Sequence, residues 1–145
     1  MSRSAQLAAL ACLFAATARA EDPRVDYMLQ CQGCHLADGS GAPGAVPDLR
    51  GSLGRFLAVP GGREYLVRVP GAAQSPLSDQ RLAALLDWMI REFDPSAAAE
   101  DQGPYRAEDV ARWRAKPYAE VQMVRRELLS RTRAEAAPYA RSRAP

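Results

Sequence analysis

Apolar and polar positions alternate at a helical period in several stretches of the chain. Val25, Met28 and Leu29 fall on one side of a short helix that runs into Cys31. The clearest stripe lies in residues 79–93, where Leu82, Leu85, Leu86, Met89 and Phe93 recur at a period of 3.6. Ser78 suits the N-cap of that helix, Asp79 favours its positive end, and Asp94-Pro95 stops it. Further on, residues 107–115 and 117–133 predict two more helices. The second carries Tyr118, Val121, Val124 and Leu128 on its apolar side, with Pro117 in its first turn and Met123 pointing roughly opposite. Residues 95–105 read as a linker, and residues 134–145 as a disordered tail.

A different pattern opens the chain. Residues 5–17 are continuously apolar, too short to span a bilayer, which needs about 20 residues. Arg3 precedes the run and Ala18-Arg19-Ala20 follows it, which predicts a secretory signal peptide over residues 1–20, cleaved after Ala20. The alternative is a short N-terminal membrane anchor. Cys12 lies inside the run and is discarded with the signal. An exported, periplasmic protein is therefore expected.

Beyond the signal the chain holds two cysteines and one histidine, all within Cys31-Gln32-Gly33-Cys34-His35. Two thiols three positions apart can add to the two vinyl groups of one haem, and the next residue places an imidazole under the iron. Competing readings exist. A disulfide is possible in an exported protein. A thioredoxin-like site would need a strand before the first cysteine, where this chain has helical spacing. A structural zinc site would need a fourth ligand, and no second pair is present.

With Ala37-Asp38-Gly39-Ser40-Gly41 after the motif, and Pro47-Asp48-Leu49-Arg50-Gly51-Ser52-Leu53-Gly54-Arg55 beyond it, the chain resembles the class I, mitochondrial-type monohaem cytochromes c over about residues 22–93. The resemblance implies an all-α, cytochrome c-like fold of short helices around one covalent haem c, with a C-terminal helical extension. The haem domain would span residues 21–94 and the extension 106–133. The resemblance also implies that Cys31 and Cys34 hold the haem, that His35 is the proximal iron ligand, and that the Pro47 carbonyl orients its ring. Arg55 would face a haem propionate, with Arg63 and Tyr65 as weaker candidates there. Gly51 and Gly54 would let the backbone pass close to the haem edge. The stripe of residues 79–93 would pack on Val25, Met28 and Leu29, because the first and last helices cross in this family.

The family usually takes a distal methionine from the loop before its last helix. Here Tyr65-Leu66-Val67-Arg68-Val69-Pro70-Gly71-Ala72-Ala73-Gln74-Ser75-Pro76 contains no Met, His or Lys. Val69 stands near the expected position. The order of expectation is therefore no strong protein ligand, then Met89, then Met28, with Gln74 and Tyr65 as weak contacts. For Met89, packing in the core is favoured over ligation, because its sulfur fills gaps in cores well.

Charge divides along the same boundary. Residues 21–105 sum to about −5 and residues 106–145 to about +5 in formal charge. The basic extension either docks on its own acidic haem domain or meets a redox partner or an anionic membrane surface. An exported haem protein of this pattern is not a nucleic-acid binder. The expected function is single-electron transfer between an exported dehydrogenase and a downstream acceptor such as a terminal oxidase, either as a free carrier or as a subunit of a larger dehydrogenase. The alternative is a haem protein whose open iron face binds a small ligand. No catalytic side chains are visible, so an enzyme is not expected.

Overall fold

A computed structural model describes residues 22–98 and 103–142, with side chains described as far as residue 132. The signal segment and the extreme C-terminus lie outside the described residues. The described chain is helical: α1 (Pro23–Gln30), α2 (Gly54–Leu57), α3 (Gly62–Arg68), α4 (Pro70–Ala73), α5 (Asp79–Phe93), α6 (Pro95–Ala98), α7 (Ala107–Arg114) and α8 (Val121–Ser142). No β-strand is present among the described residues, and an isolated bridge joins Ala42 to Val46. The all-α expectation holds.

Helix α5 is the spine. Its whole stripe is buried, Leu82, Leu85, Leu86, Met89 and Phe93 together with Ala83 and Ile90. Ser78 caps it, its side chain accepting from the Arg81 amide at 3.3 Å. Asp94 ends it and accepts from the Gly54 amide at 2.8 Å, tying α5 to the start of α2.

Helix α1 packs on α5 with a phase the hydrophobic pattern did not predict. Val25, Met28 and Leu29 are exposed at 47%, 55% and 70%, so the expected contact with the α5 stripe is not made. The buried face carries Asp26 and Tyr27 instead. Tyr27 packs its ring 5.4 Å from Trp88 and 5.0 Å from Phe93. Asp26 meets the Arg81 guanidinium through two hydrogen bonds. An aromatic ring and a paired charge thus outcompete three aliphatic side chains for the interface, because a buried carboxylate must keep its partner.

The C-terminal extension lies on the same body. Helix α7 packs on α5 and α3, and α8 on α2 and α3. Val110, Tyr105 and Leu128 are buried, and Tyr118, Val121 and Val124 are partly buried against the core. Arginines fasten it: the Arg114 guanidinium donates to the carbonyls of Ala73 (3.1 Å) and Leu77 (2.7 Å), and Arg68 Nε donates to the Lys116 carbonyl. The segment read as a linker includes helix α6, whose Ala97 is buried, and the buried Tyr105. The last helix begins at Val121 rather than Pro117, because the Tyr118 amide is taken by the Arg68 carbonyl at 3.0 Å. It continues to Ser142, into the stretch read as a disordered tail, through residues rich in good helix formers.

Candidate functional site

The site starts from the end of α1. Cys31 caps the helix, its amide donating to the Tyr27 carbonyl. The Cys34 and His35 amides both donate to the Cys31 carbonyl, at 3.1 and 2.9 Å. This one-turn continuation keeps helical spacing, so residues 31, 34 and 35 are presented towards one side. The turn is fastened from below by the Tyr27 hydroxyl, which donates to the Leu36 carbonyl at 2.7 Å. Burial pushes the pKa of that hydroxyl up to about 12, with Cys31 and Asp38 adding to the effect.

Cys31, Cys34 and His35 share a cavity of about 330 Å³ with Pro47, Asp48 and Leu49. Most of the remaining wall is apolar: Leu53, Phe56 and Leu66, then Leu82, Leu85 and Met89 of α5. Val69, Pro70, Gly71 and Ala72 close another part of it, and Val121, Gln122 and Arg125 of α8 complete it. Both cysteines are free thiols. The Cys31 pKa is pushed up to about 11 by burial, then by Asp26 and Cys34, so it is a neutral thiol at pH 7. Burial also lowers the His35 pKa, opposed by the Pro47 carbonyl and Asp48. The imidazole Nδ1 is buried and lacks a hydrogen bond of ordinary geometry. Among the described residues no group of three or more His, Cys, Asp or Glu is placed to hold a metal ion by itself.

No family model matches the chain. Among characterised proteins it is similar to cytochrome c-552 of Thermus thermophilus, at 34% identity over 105 residues, covering 60% of this chain and 80% of the relative. A second cytochrome c-552 from the same species matches at 34% identity over the same share of this chain, with 71% of that relative covered. The chain belongs to the c-type cytochromes.

The cavity of this cytochrome fits a haem. Its wall is largely apolar, two thiols lie on it, and an imidazole stands beside them.

The structure brings together Cys31, Cys34, His35, Pro47, Tyr65, Val69 and Met89 in the cavity wall. It does not bring Arg55, which is exposed on α2 and outside the wall. Arg63 also lies outside it, its guanidinium 4.0 Å from the centre of the Tyr105 ring. Gln74 is exposed, as are Met28 and Met123, and none of the three lines the cavity. Gly54 serves a different approach from the expected one. A Cβ there would stand 2.5 Å from the Ala97 Cβ, so the glycine admits α6 rather than the haem edge.

Arg125 was missed by sequence reading. The signal was available: residue 125 follows Val121 by four and precedes Leu128 by three, so it lies on the inward stripe of α8. Its guanidinium stands 5.2 Å from the centre of the Phe56 ring.

Proposed function

We propose that this cytochrome carries single electrons outside the cytoplasm, as a class I type protein with one haem c held covalently in the described cavity. A bound haem supplies a reversible one-electron iron couple. The chain's own groups do the rest. Cys31 and Cys34 anchor the group as thioethers. His35 ligates the iron, and the Pro47 carbonyl, set beside it on a proline-fixed backbone, holds the ring's orientation through Nδ1. The leucines and Phe56 exclude water and keep the site dry. The observation that carries this reading is the convergence of Cys31, Cys34 and His35 on one apolar cavity.

Electron transfer asks for little beyond this. Among the described residues the wall holds one imidazole, His35, which this reading commits to the iron. Export follows from the signal-like residues 1–20, with cleavage after Ala20, and the periplasm is the compartment. No helix among the described residues is long and apolar enough to cross a membrane. The electron donor is an exported dehydrogenase and the acceptor a terminal oxidase or similar partner.

A second reading rests on one observation. Val69, Pro70, Gly71 and Ala72 line the cavity without offering a sulfur or imidazole, and among the described residues Met89 is the one thioether in the wall. Either Met89 ligates the iron or that position stays open to a small ligand, which would lower the haem potential.

One set of measurements tests both. Haem should resist acid–acetone extraction from the wild-type protein and be lost from Cys31→Ser/Cys34→Ser; extractable haem in the wild type would overturn covalent attachment. Rapid carbon monoxide binding by the reduced protein, unchanged in Met89→Leu, marks an open iron face. A methionine-to-iron charge-transfer band that vanishes in Met89→Leu assigns the ligand instead.

A further inference from the structure

Of the described residues lining the cavity, Arg125 alone carries a guanidinium or ammonium group. It is half-buried. Among the described residues it forms no ion pair with a carboxylate. Its neighbours are the Phe56 ring and the Tyr65 hydroxyl; burial raises the pKa of that hydroxyl, and Arg125 opposes the rise by its charge and a hydrogen bond. Arg50, Arg68 and Arg55 are committed elsewhere or turned outward. Arg50 is held by Asp38 and Asp48 at 3.0 and 2.6 Å. Arg68 is held by Glu64 at 2.6 Å, and Arg55 is exposed. The cavity is largely apolar, and the one carboxylate in its described lining, Asp48, is held by Arg50 at 2.6 Å. A partly desolvated cation without a carboxylate partner, facing such a cavity, calls for a further anion there.

Haem brings two carboxylates to a site that is largely apolar. Resting on the haem reading above, we propose that Arg125 binds a haem propionate, so that the C-terminal extension is a working part of the cofactor site. The cation comes from a helix that begins well beyond the end of α5 at Phe93, with Val121 as its first residue. Arg125 is a positioning residue: it sets the charge around the propionates and, through them, the potential of the iron. A guanidinium suits the task because its planar fork matches a carboxylate.

The experiment is a pH titration of the reduction potential, on holoprotein with covalently retained haem, for wild type, Arg125→Gln, Arg125→Lys and the neighbouring exposed Arg126→Gln. An adjacent opposite charge lowers a carboxyl pKa by about 1–3 units. In Arg125→Gln the pH at which the potential begins to depend on pH should therefore move up by about 1 unit or more, and the potential should fall at neutral pH. Arg125→Lys should restore most of both changes, and Arg126→Gln should leave both unmoved. Should Arg125→Gln fail to accumulate, Arg125→Lys still decides: it must give a shift in the same direction, and smaller. Covalently loaded variants whose profiles overlay the wild type overturn the proposal for Arg125 and leave the haem reading intact. Absence of covalent haem in the wild type itself overturns both, and is read separately by the extraction.

Discussion

The first and last described parts of this chain dock on the same scaffold by different means. Helix α1 reaches α5 with an aromatic ring and a carboxylate, Tyr27 and Asp26, while its aliphatic residues face solvent. The extension reaches α3 and α5 with aliphatic and aromatic residues, Val110 and Tyr105, and then ties itself down with arginine-to-carbonyl hydrogen bonds. The two ends also serve different parts of the cavity. One delivers Cys31, Cys34 and His35 from a continuous motif. The other delivers Val121 and Arg125 from far along the chain. Where a helix contributes a buried charge, that charge sets its rotational phase; where it contributes none, the apolar stripe does.

The sharpest way to break α1 from this arrangement is to leave Asp26 without its partner. The Asp26 side chain is 2% exposed and Arg81 35%. Removing one member of such a pair leaves an uncompensated buried charge, which costs about 3–5 kcal/mol. Arg81→Met should lower stability by about that amount in urea unfolding of the holoprotein. A loss below about 1 kcal/mol would mean that Asp26 is not what anchors α1, since exposed pairs contribute no more than that.

The corresponding break in the extension is Leu128→Ala. Leu128 is 5% exposed in the shared core. Leucine-to-alanine changes at buried sites cost about 2–5 kcal/mol, and a position near the edge, where neighbours can relax, belongs at the lower end. The loss should be near that lower bound, with cooperative unfolding retained. A separate early transition would show instead that the extension is an independent unit.

This contrast explains how much could be read from the residues alone. Helix α5, its cap at Ser78 and its stripe were legible because one apolar face meets one core. The motif was legible because contiguous residues carry its chemistry, whereas Pro47, which lies in the same cavity wall, was singled out by the family resemblance. The phase of α1 was not, since a hydrophobic pattern assigns no value to a charge that pairs with Arg81, 55 positions away. Arg125 escaped for a related reason. A cation on an apolar stripe reads as an imperfection until the cavity it faces is known. The start of the last helix at Val121 depended on a tertiary hydrogen bond, from the Tyr118 amide to the Arg68 carbonyl, which no local signal announces.

Smaller perturbations sharpen the comparison. Tyr27→Phe keeps the aromatic cluster and deletes the hydrogen bond to the Leu36 carbonyl, so it should cost about 1 kcal/mol. The same substitution should leave haem attachment intact, because the turn at residues 31–35 keeps its backbone bonds.

At the other end, Asp87 accepts from the Tyr105 amide at 3.1 and 3.2 Å. Burial raises its pKa above the ordinary 3.8, against the Tyr105 amide, Arg63 and Arg91. The folded protein therefore holds this proton more tightly than the unfolded chain. Its contribution to stability falls as pH rises from the ordinary carboxylate value through the raised one. Asp87→Asn removes that contribution, so the stability difference between variant and wild type should move in the variant's favour as pH rises across this window. Urea midpoints collected from about pH 3 to about pH 6 measure it, and a difference that moves the other way would show that the amide and the arginines dominate burial.

The smallest expected effect is the most discriminating for α1. A hydrophobic pattern places Met28 at the centre of its interface; the structure leaves it 55% exposed. If Met28 packed on α5, Met28→Gln would bury an amide and remove a core side chain, a loss of about 2 kcal/mol or more. On a solvent-facing side the change should stay within about 0.5 kcal/mol of wild type, the usual range for surface substitutions. The two phases of α1 thus differ by well over the error of a urea midpoint. A neutral Met28→Gln beside a strongly destabilised Arg81→Met would establish that the charged residue, not the aliphatic stripe, decides how the end of the chain that carries residues 31–35 is seated.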